Sequence, residues 1–235
     1  MSDRRFTILS TASLPFERIP YVPESVHISV VPFTEIFPRV DETLKSKITA
    51  LSAKKLIVVF TSAHAVKFVA GMLKIKPKWK IYCIRNETRV AVVNWFGSDS
   101  IVNFASNAMM LSQSMVHDGI KDAVFFCGDQ RMDILPENLK NQGVGLTELI
   151  EYETRLTPVR LIDQPDAILF FSPTAVRSFF SMNALSANTR VFAMGKTTAA
   201  ALNEFISQPI VISPEADKAF VLNMAVEYAA SHPIS

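Results

Sequence analysis

The sequence predicts an α/β protein of two similar lobes, each built on a parallel sheet, and three observations carry that expectation. Short apolar runs alternate with helix-like patterns along almost the whole chain. Two strand–turn–helix units recur 110 residues apart (172 − 62). Two extended segments separate the middle of the chain from its two ends.

Taken in order, FTILS (Phe6–Ser10) and HISVVPF (His27–Phe33) read as strands. From Arg39 to Leu51 the spacing is helical, with Val40, Leu44, Ile48 and Leu51 on one face. KLIVVFTS is a buried strand, AHAVKFVAGML a helix, IYCI a strand and ETRVAVVNWF a helix. SIVNFA is a weaker strand, followed by the helix NAMMLSQSMVHDG and the strand DAVFFCG. RMDILPENLKNQG is a helical stretch expected to bend at Pro136. LTELIEYETR is extended, and DAILFFS, RVFAMG and PIVIS are strands, each followed by a helical pattern. Apolar strands alternating with amphipathic helices are the signature of parallel sheets covered on both faces.

The repeat sets Phe60-Thr61-Ser62-Ala63-His64-Ala65-Val66 against Phe170-Phe171-Ser172-Pro173-Thr174-Ala175-Val176. At the same offset, the unit ending in Thr88 matches the unit ending in Thr198. Apolar strand positions match cheaply between any two such units, but the aligned Ser and Thr at the turns do not. Pro32 and Pro38 bracket one connector, and Ile150–Pro158 forms the other. The predicted arrangement is an outer lobe of residues 1–34 and 156–235, with residues 38–152 inserted as the inner lobe and the two connectors as the hinge.

Composition narrows the function. The chain is 49% hydrophobic and 20% charged, with a net charge of +2, so it lacks the basic field that drives nucleic-acid binding. No apolar run approaches the roughly 18 residues of a membrane-spanning helix. The N-terminal stretch lacks the apolar core of a secretion signal, and a cytoplasmic location is expected. Cys83 and Cys127 each lie in an apolar run without metal-ligand spacing, and read as buried thiols. GxGxxG and GxxxxGK[ST] are absent; GKTT at Gly195–Thr198 would need its first glycine at position 190, which is Arg190. No catalytic triad is visible. His64, in a helix-start motif, can cap, contact a ligand or sit on exposed helix surface.

Ser62, Thr88, Ser172, Thr197 and Thr198 fall where a strand gives way to a helix. Helix starts carry free N–H groups and partial positive charge, so these hydroxyls either cap the helix or join it in binding an anion. In parallel α/β sheets, ligands gather at that end of the strands.

These motifs together resemble the uroporphyrinogen-III synthase family. FTSAHAV is similar to the family's FTS-x-x-AV, and FFSPTAV to its F-x-SP-x-AV. Gly128, Arg131, Leu135, Leu139, Gly143, Tyr152 and Thr154 match its G-x-x-R…L…L…G…Y-x-T stretch, and VFAMGKTTAAAL its A-x-G-x-x-TA-x-x-L. The ordered set runs from about Phe60 to Leu202. Thr11-Ala12-Ser13 stands where the family often has TRP, and Arg85 where a turn glycine is expected.

The resemblance implies two flavodoxin-like lobes joined by a two-stranded connector, with the active site in the cleft between them. It implies a lyase of haem and porphyrin biosynthesis that cyclises hydroxymethylbilane, a linear polycarboxylate tetrapyrrole, to uroporphyrinogen III. Water is lost and ring D inverted, with no metal or organic cofactor. Tyr152 matches the family's tyrosine and is the candidate acid for the departing hydroxyl, with packing of the connector as its alternative role. Ser62, Thr88, Arg131, Ser172, Thr197 and Thr198 are the candidate substrate contacts, with Arg155 a further cation. A monomer is expected. The competing reading is a non-catalytic two-lobe binding or regulatory protein of the same fold.

Overall fold

The structure, a computed structural model, describes residues 4–15, 21–39 and 41–232. The chain opens with β1 (Phe6–Ser10), β2 (Val26–Val30), β3 (Thr34–Pro38), α1 (Glu42–Ser52), β4 (Ile57–Phe60) and α2 (Ala63–Met72). Next come β5 (Lys80–Ile84), α3 (Glu87–Phe96), β6 (Ile101–Ala105), α4 (Ala108–His117), β7 (Asp122–Gly128) and α5 (Ile134–Asn141). The long β8 (Gly145–Leu156) precedes β9 (Ala167–Phe170), α6 (Pro173–Phe180), β10 (Arg190–Ala193), α7 (Lys196–Leu202), β11 (Ile210–Ile212) and α8 (Lys218–Ser231).

The chain divides into two compact units: an outer one of Met1–Glu35 with Arg155–Ser235, and an inner one of Ile36–Thr154. The outer sheet has the order β11-β10-β9-β1-β2. Its pairings are all parallel, which gives the flavodoxin order when read by position in the chain. The inner sheet has the order β3-β8-β7-β4-β5-β6. Its strands from β4 onward are parallel, and their order is that of the other doubly wound arrangement. The two units therefore share βα turns but not strand order.

Strand alternation explains why both sheets need helices on both faces. In β4 and β7, Val58, Phe60, Val124 and Phe126 pack with α1, α2 and α3 through Ile48, Val66 and Val92. Their neighbours Val59, Phe125 and Cys127 face the opposite side, against Leu111, Met115, Leu135 and Leu139 of α4 and α5. In the outer sheet, Ala167 and Leu169 pack with Leu222 and Val226 of α8. Ile168 and Phe170 pack with Val176 and Phe179 of α6 and Leu202 of α7. A strand buried on both faces needs a continuous apolar run, as AILF of β9 supplies.

Three sequence expectations change. The segment bracketed by Pro32 and Pro38 is not only a connector: it forms β3 at the sheet edge, where a proline is tolerated because no outward N–H is needed. It runs antiparallel to β8, since Arg39 N–H donates to the Glu151 carbonyl (2.7 Å) while Thr157 N–H donates to that of Phe33 (3.0 Å). The helix expected from Arg39 starts at Glu42, because the Asp41 carboxylate caps it by accepting from Leu44 N–H at 2.6 Å. Leu44 and Ile48 are buried as expected, while Val40 lies outside the described residues. Pro136 does not bend a helix. It is the third residue of α5, in the first turn, where the backbone has no N–H bond to lose.

The turn from β5 into α3 is strained. Asn86 has φ 64° and ψ −132°, a conformation suited to glycine, and its side chain makes no capping bond. Replacing it by glycine relieves strain of about 1–3 kcal/mol against a glycine entropy cost of about 0.5–1 kcal/mol. Asn86→Gly is therefore expected to raise the unfolding free energy by ~1 kcal/mol in urea denaturation; a lower value would show that the amide side chain holds the turn.

Candidate active site

Doubly wound sheets open a crevice at the C-terminal ends of the strands where their order reverses. In the inner unit that point lies between β4 and β7. Ser62 follows β4 in extended conformation (φ −142°, ψ 133°) and caps α2, its Oγ accepting from His64 N–H at 3.2 Å. The same Oγ accepts a hydrogen bond from the Tyr152 hydroxyl at 2.9 Å. A serine hydroxyl has two acceptor positions and one proton. With both acceptor positions filled, the Ser62 proton is left to be donated elsewhere.

Tyr152 reaches this point from β8, which is separated from β4 by β7. Its ring lies across the end of β7 at Gly128. A Cβ on Gly128 would collide with ring atoms Cε2 and Cζ and lie 2.8 Å from the hydroxyl oxygen. Local irregularity sets this up. The β7–β8 register passes from Cys127↔Ile150 to Gly128↔Tyr152, so Glu151 is a bulge residue opposing nothing on β7. Asp129 fixes the result: its N–H donates to the Tyr152 carbonyl (3.1 Å) and its Oδ1 accepts from Thr154 N–H (2.9 Å). Phe68 and the exposed His64 flank the tyrosine, with ring centroids 5.7 and 6.1 Å away.

The surroundings favour protonated forms. Burial raises the Tyr152 phenol above its usual range, and the bond to Ser62 partly opposes this. Burial pushes the Cys127 thiol up to about 12 and the Glu151 carboxyl up to about 9. Arg131 pairs with Glu148, and with Asp133 at 2.5 Å, so its charge is already engaged by two carboxylates.

In the outer unit the order reverses between β1 and β9. Ser172 follows β9 and caps α6, accepting from Ala175 N–H at 3.1 Å. The buried Thr11 hydroxyl donates to the Leu169 carbonyl at 2.7 Å. Lys218, the first residue of α8, brings an ammonium to the same end: it donates to the Ser13 carbonyl (3.1 Å) and lies 5.8 Å from the centroid of the Phe171 ring. In the turn after neighbouring β10, Gly195 precedes exposed Lys196 and Thr197 at the start of α7.

Among the predicted contacts, the structure brings Tyr152 and Ser62 together, and places Ser172 and Thr197 at adjacent turns of the outer sheet. Thr88 and Thr198 differ from expectation. They are the second and third residues of their helices and only 4% and 2% exposed, because that phase turns their side chains into the protein. Arg155 is exposed on β8. Sequence reasoning missed Gly128 as the seat of the tyrosine, Asp129, Glu151 and Lys218. A cavity of about 750 Å³ in the outer unit runs along β1 and β2, lined by Thr7, Leu9, His27, Ser29, Val31 and Arg160, and its lining includes none of Ser172, Thr197 and Lys218. No cluster of three or more His, Cys, Asp or Glu able to hold a metal ion occurs among the described residues.

The family model described as Uroporphyrinogen-III synthase HemD matches residues 24–220. The chain belongs to the uroporphyrinogen-III synthase family. Among solved structures, it is similar to uroporphyrinogen-III synthetase from Helicobacter pylori, at 17% identity and TM-score 0.65 over 95% of this chain and 99% of that one. A mutant uroporphyrinogen III synthase from Thermus thermophilus matches at 13% identity and TM-score 0.61, over 97% and 100%. No individually curated protein matches. Family membership supports an enzyme of tetrapyrrole biosynthesis, and nothing favours a non-catalytic relative.

Two outcomes follow for this member of the uroporphyrinogen-III synthase family. Gly128→Ala must displace the Tyr152 ring, and overpacking of this kind costs about 1–3 kcal/mol. Thermal melts should register that loss, and a variant as stable as the parent would show that the ring does not need the bare backbone. Glu151 makes stability depend on pH. An unfolded carboxyl titrates near the ordinary 4.5, and the folded one near 9. Between those values the unfolded state gives up a proton that the native state keeps. Stability is therefore full below about 4.5 and falls as pH rises toward 9, with a limiting slope of about 1.4 kcal/mol per pH unit. Urea denaturation should show Glu151→Leu gaining on the parent across that window; a gain constant with pH would refute the assignment.

Proposed function

We propose that the chain converts hydroxymethylbilane to uroporphyrinogen III with loss of water, and that Tyr152 and Ser62 deliver the proton to the departing hydroxyl. The observation that carries this reading is the 2.9 Å bond from the Tyr152 hydroxyl to Ser62 at the strand end of the inner sheet, in a chain of this family. Tyr152 passes its proton to Ser62 Oγ as the Ser62 proton goes to the leaving oxygen. The pyrrole nitrogen assists the same departure electronically, so a phenol is acid enough. General acids of this sort contribute about 10²–10⁴ in rate.

The substrate's carboxylates need donors. Ser172, Thr197 and the first N–H groups of α6 and α7 are proposed to supply them, with Lys218 and Lys196 adding charge. Thr88 and Thr198 contribute through backbone N–H groups at most, since their hydroxyls are buried. The reading includes no organic cofactor, a cytoplasmic location and a monomeric state. No helix among the described residues is long and apolar enough to cross a membrane.

Tyr152→Phe keeps the ring and removes the hydroxyl. Turnover to the type III product is expected to fall about 10²-fold or more with little change in KM, while spontaneous closure raises the type I fraction. A coupled assay resolving the two isomers reads this; unchanged turnover and isomer ratio in Tyr152→Phe would sink the acid role. Ser172→Ala should instead weaken product binding by about 0.5–1.5 kcal/mol. Titration calorimetry on the folded variant would disprove the contact by returning the parent affinity.

A further inference from the structure

Glu151 has no explanation in the packing of the sheet. It is 0% exposed, and neither carboxyl oxygen has a hydrogen-bond partner among the described residues. Buried polar groups are nearly always paired, so an orphan carboxyl calls for a reason. It is also the bulged residue of β8, immediately before Tyr152. Bulges concentrate beside active sites, where they re-aim side chains.

The groups around it leave the carboxyl uncompensated. On β7 stands the Cys127 thiol, with Asp129 just beyond that strand. On β8 itself, Glu148 is paired with Arg131, and Glu153 is paired with Arg39 at 3.1 Å. From the β3 side, Arg39 offers its backbone N–H to the Glu151 carbonyl, not to the carboxyl. From α5, Leu135 and Leu139 pack on Cys127. Burial alone sets the carboxyl's preference for its proton, and a charge on Glu151 acts on Tyr152 to hold the phenolic proton more tightly.

We propose that Glu151, buried and unpaired at the bulge immediately before Tyr152, is a positioning residue that governs proton donation by Tyr152. This rests on Tyr152 being the proton donor. While Glu151 keeps its proton, the phenol stays acidic enough to donate. When Glu151 loses that proton to solvent, the new charge beside Tyr152 makes the phenol a weaker acid and turnover falls. The bulge serves this arrangement by tucking the carboxyl inside the sheet next to the tyrosine it governs.

The test follows Tyr152 itself. The chain is labelled with ¹³C at tyrosine Cζ, and the Tyr152 resonance is identified by its loss in Tyr152→Phe. Titrations of the parent and Glu151→Gln are compared over the pH range in which circular dichroism stays native. In Glu151→Gln the phenol is expected to be roughly tenfold more acidic. The alkaline fall in turnover near pH 9 should vanish, with KM at neutral pH unchanged. If Glu151→Gln does not fold, Glu151→Leu replaces it, since neither side chain can ionise. Identical Tyr152 titrations in the parent and the variant would overturn the proposal. If Tyr152→Phe is impaired but the titrations coincide, Glu151 has no part and the acid role of Tyr152 stands. If Tyr152→Phe is fully active, the acid role fails and this inference falls with it.

Discussion

The arrangement of the inner unit depends on one close approach, the Tyr152 ring lying on Gly128 with no Cβ between them. Tyr152 stands on β8 and Ser62 at the end of β4, with β7 between them. Two strand spacings are roughly 9.6 Å, so the side chain can bridge them only by lying across the end of the middle strand. A residue larger than glycine there would block that path. The β7–β8 bulge sets the phase of the tyrosine, and Asp129 locks it through Thr154 and the Tyr152 carbonyl. The hydrogen bond to Ser62 is then the outcome of backbone geometry, not of a flexible side chain finding a partner.

Burial around this point works in one direction. Cys127, Glu151 and Tyr152 are all pushed toward their protonated forms, and Arg131, the nearby cation, is held by Glu148 and Asp133. A carboxyl group on the surface would sit ionised at neutral pH, and its charge would oppose any proton transfer from the phenol. The same side chain inside the sheet is neutral there. It lowers stability there, because at neutral pH the unfolded chain ionises it and the folded chain does not. A residue that weakens the fold at neutral pH and sits next to the proposed acid is the kind of local conflict expected at functional positions.

Much of the architecture was legible because it follows periodicity. The strands Phe6–Ser10 and Asp122–Gly128 and the helix Glu87–Phe96 have the limits that their apolar patterns predict. The 110-residue repeat was legible too, and Ser62 and Ser172 are equivalent caps. What escaped depends on single-residue phase. Thr88 and Thr198 look like turn residues, but α3 begins at Glu87 and α7 at Lys196, and that rotation buries both hydroxyls. Glu151 lies in the run Glu148–Leu149–Ile150–Glu151–Tyr152–Glu153, which reads as a solvated extended segment. Only a bulge puts one of its acids inside, and a bulge leaves no mark in composition.

The two units differ in the chemistry that their strand ends carry. The inner unit gathers groups that hold protons, and its nearby arginine is spent on internal carboxylates. The outer unit gathers hydroxyls and ammonium groups at helix starts: Ser172, Thr197, Lys196 and Lys218. Cations that hold carboxylates also favour ionisation of a neighbouring acid, so the pairing of Arg131 with Glu148 and Asp133 bears on the protonated groups around it. The repeated βα turn has the same strand-end serine in each unit, capping the helix that follows, and the residues around that serine set the difference between the two units.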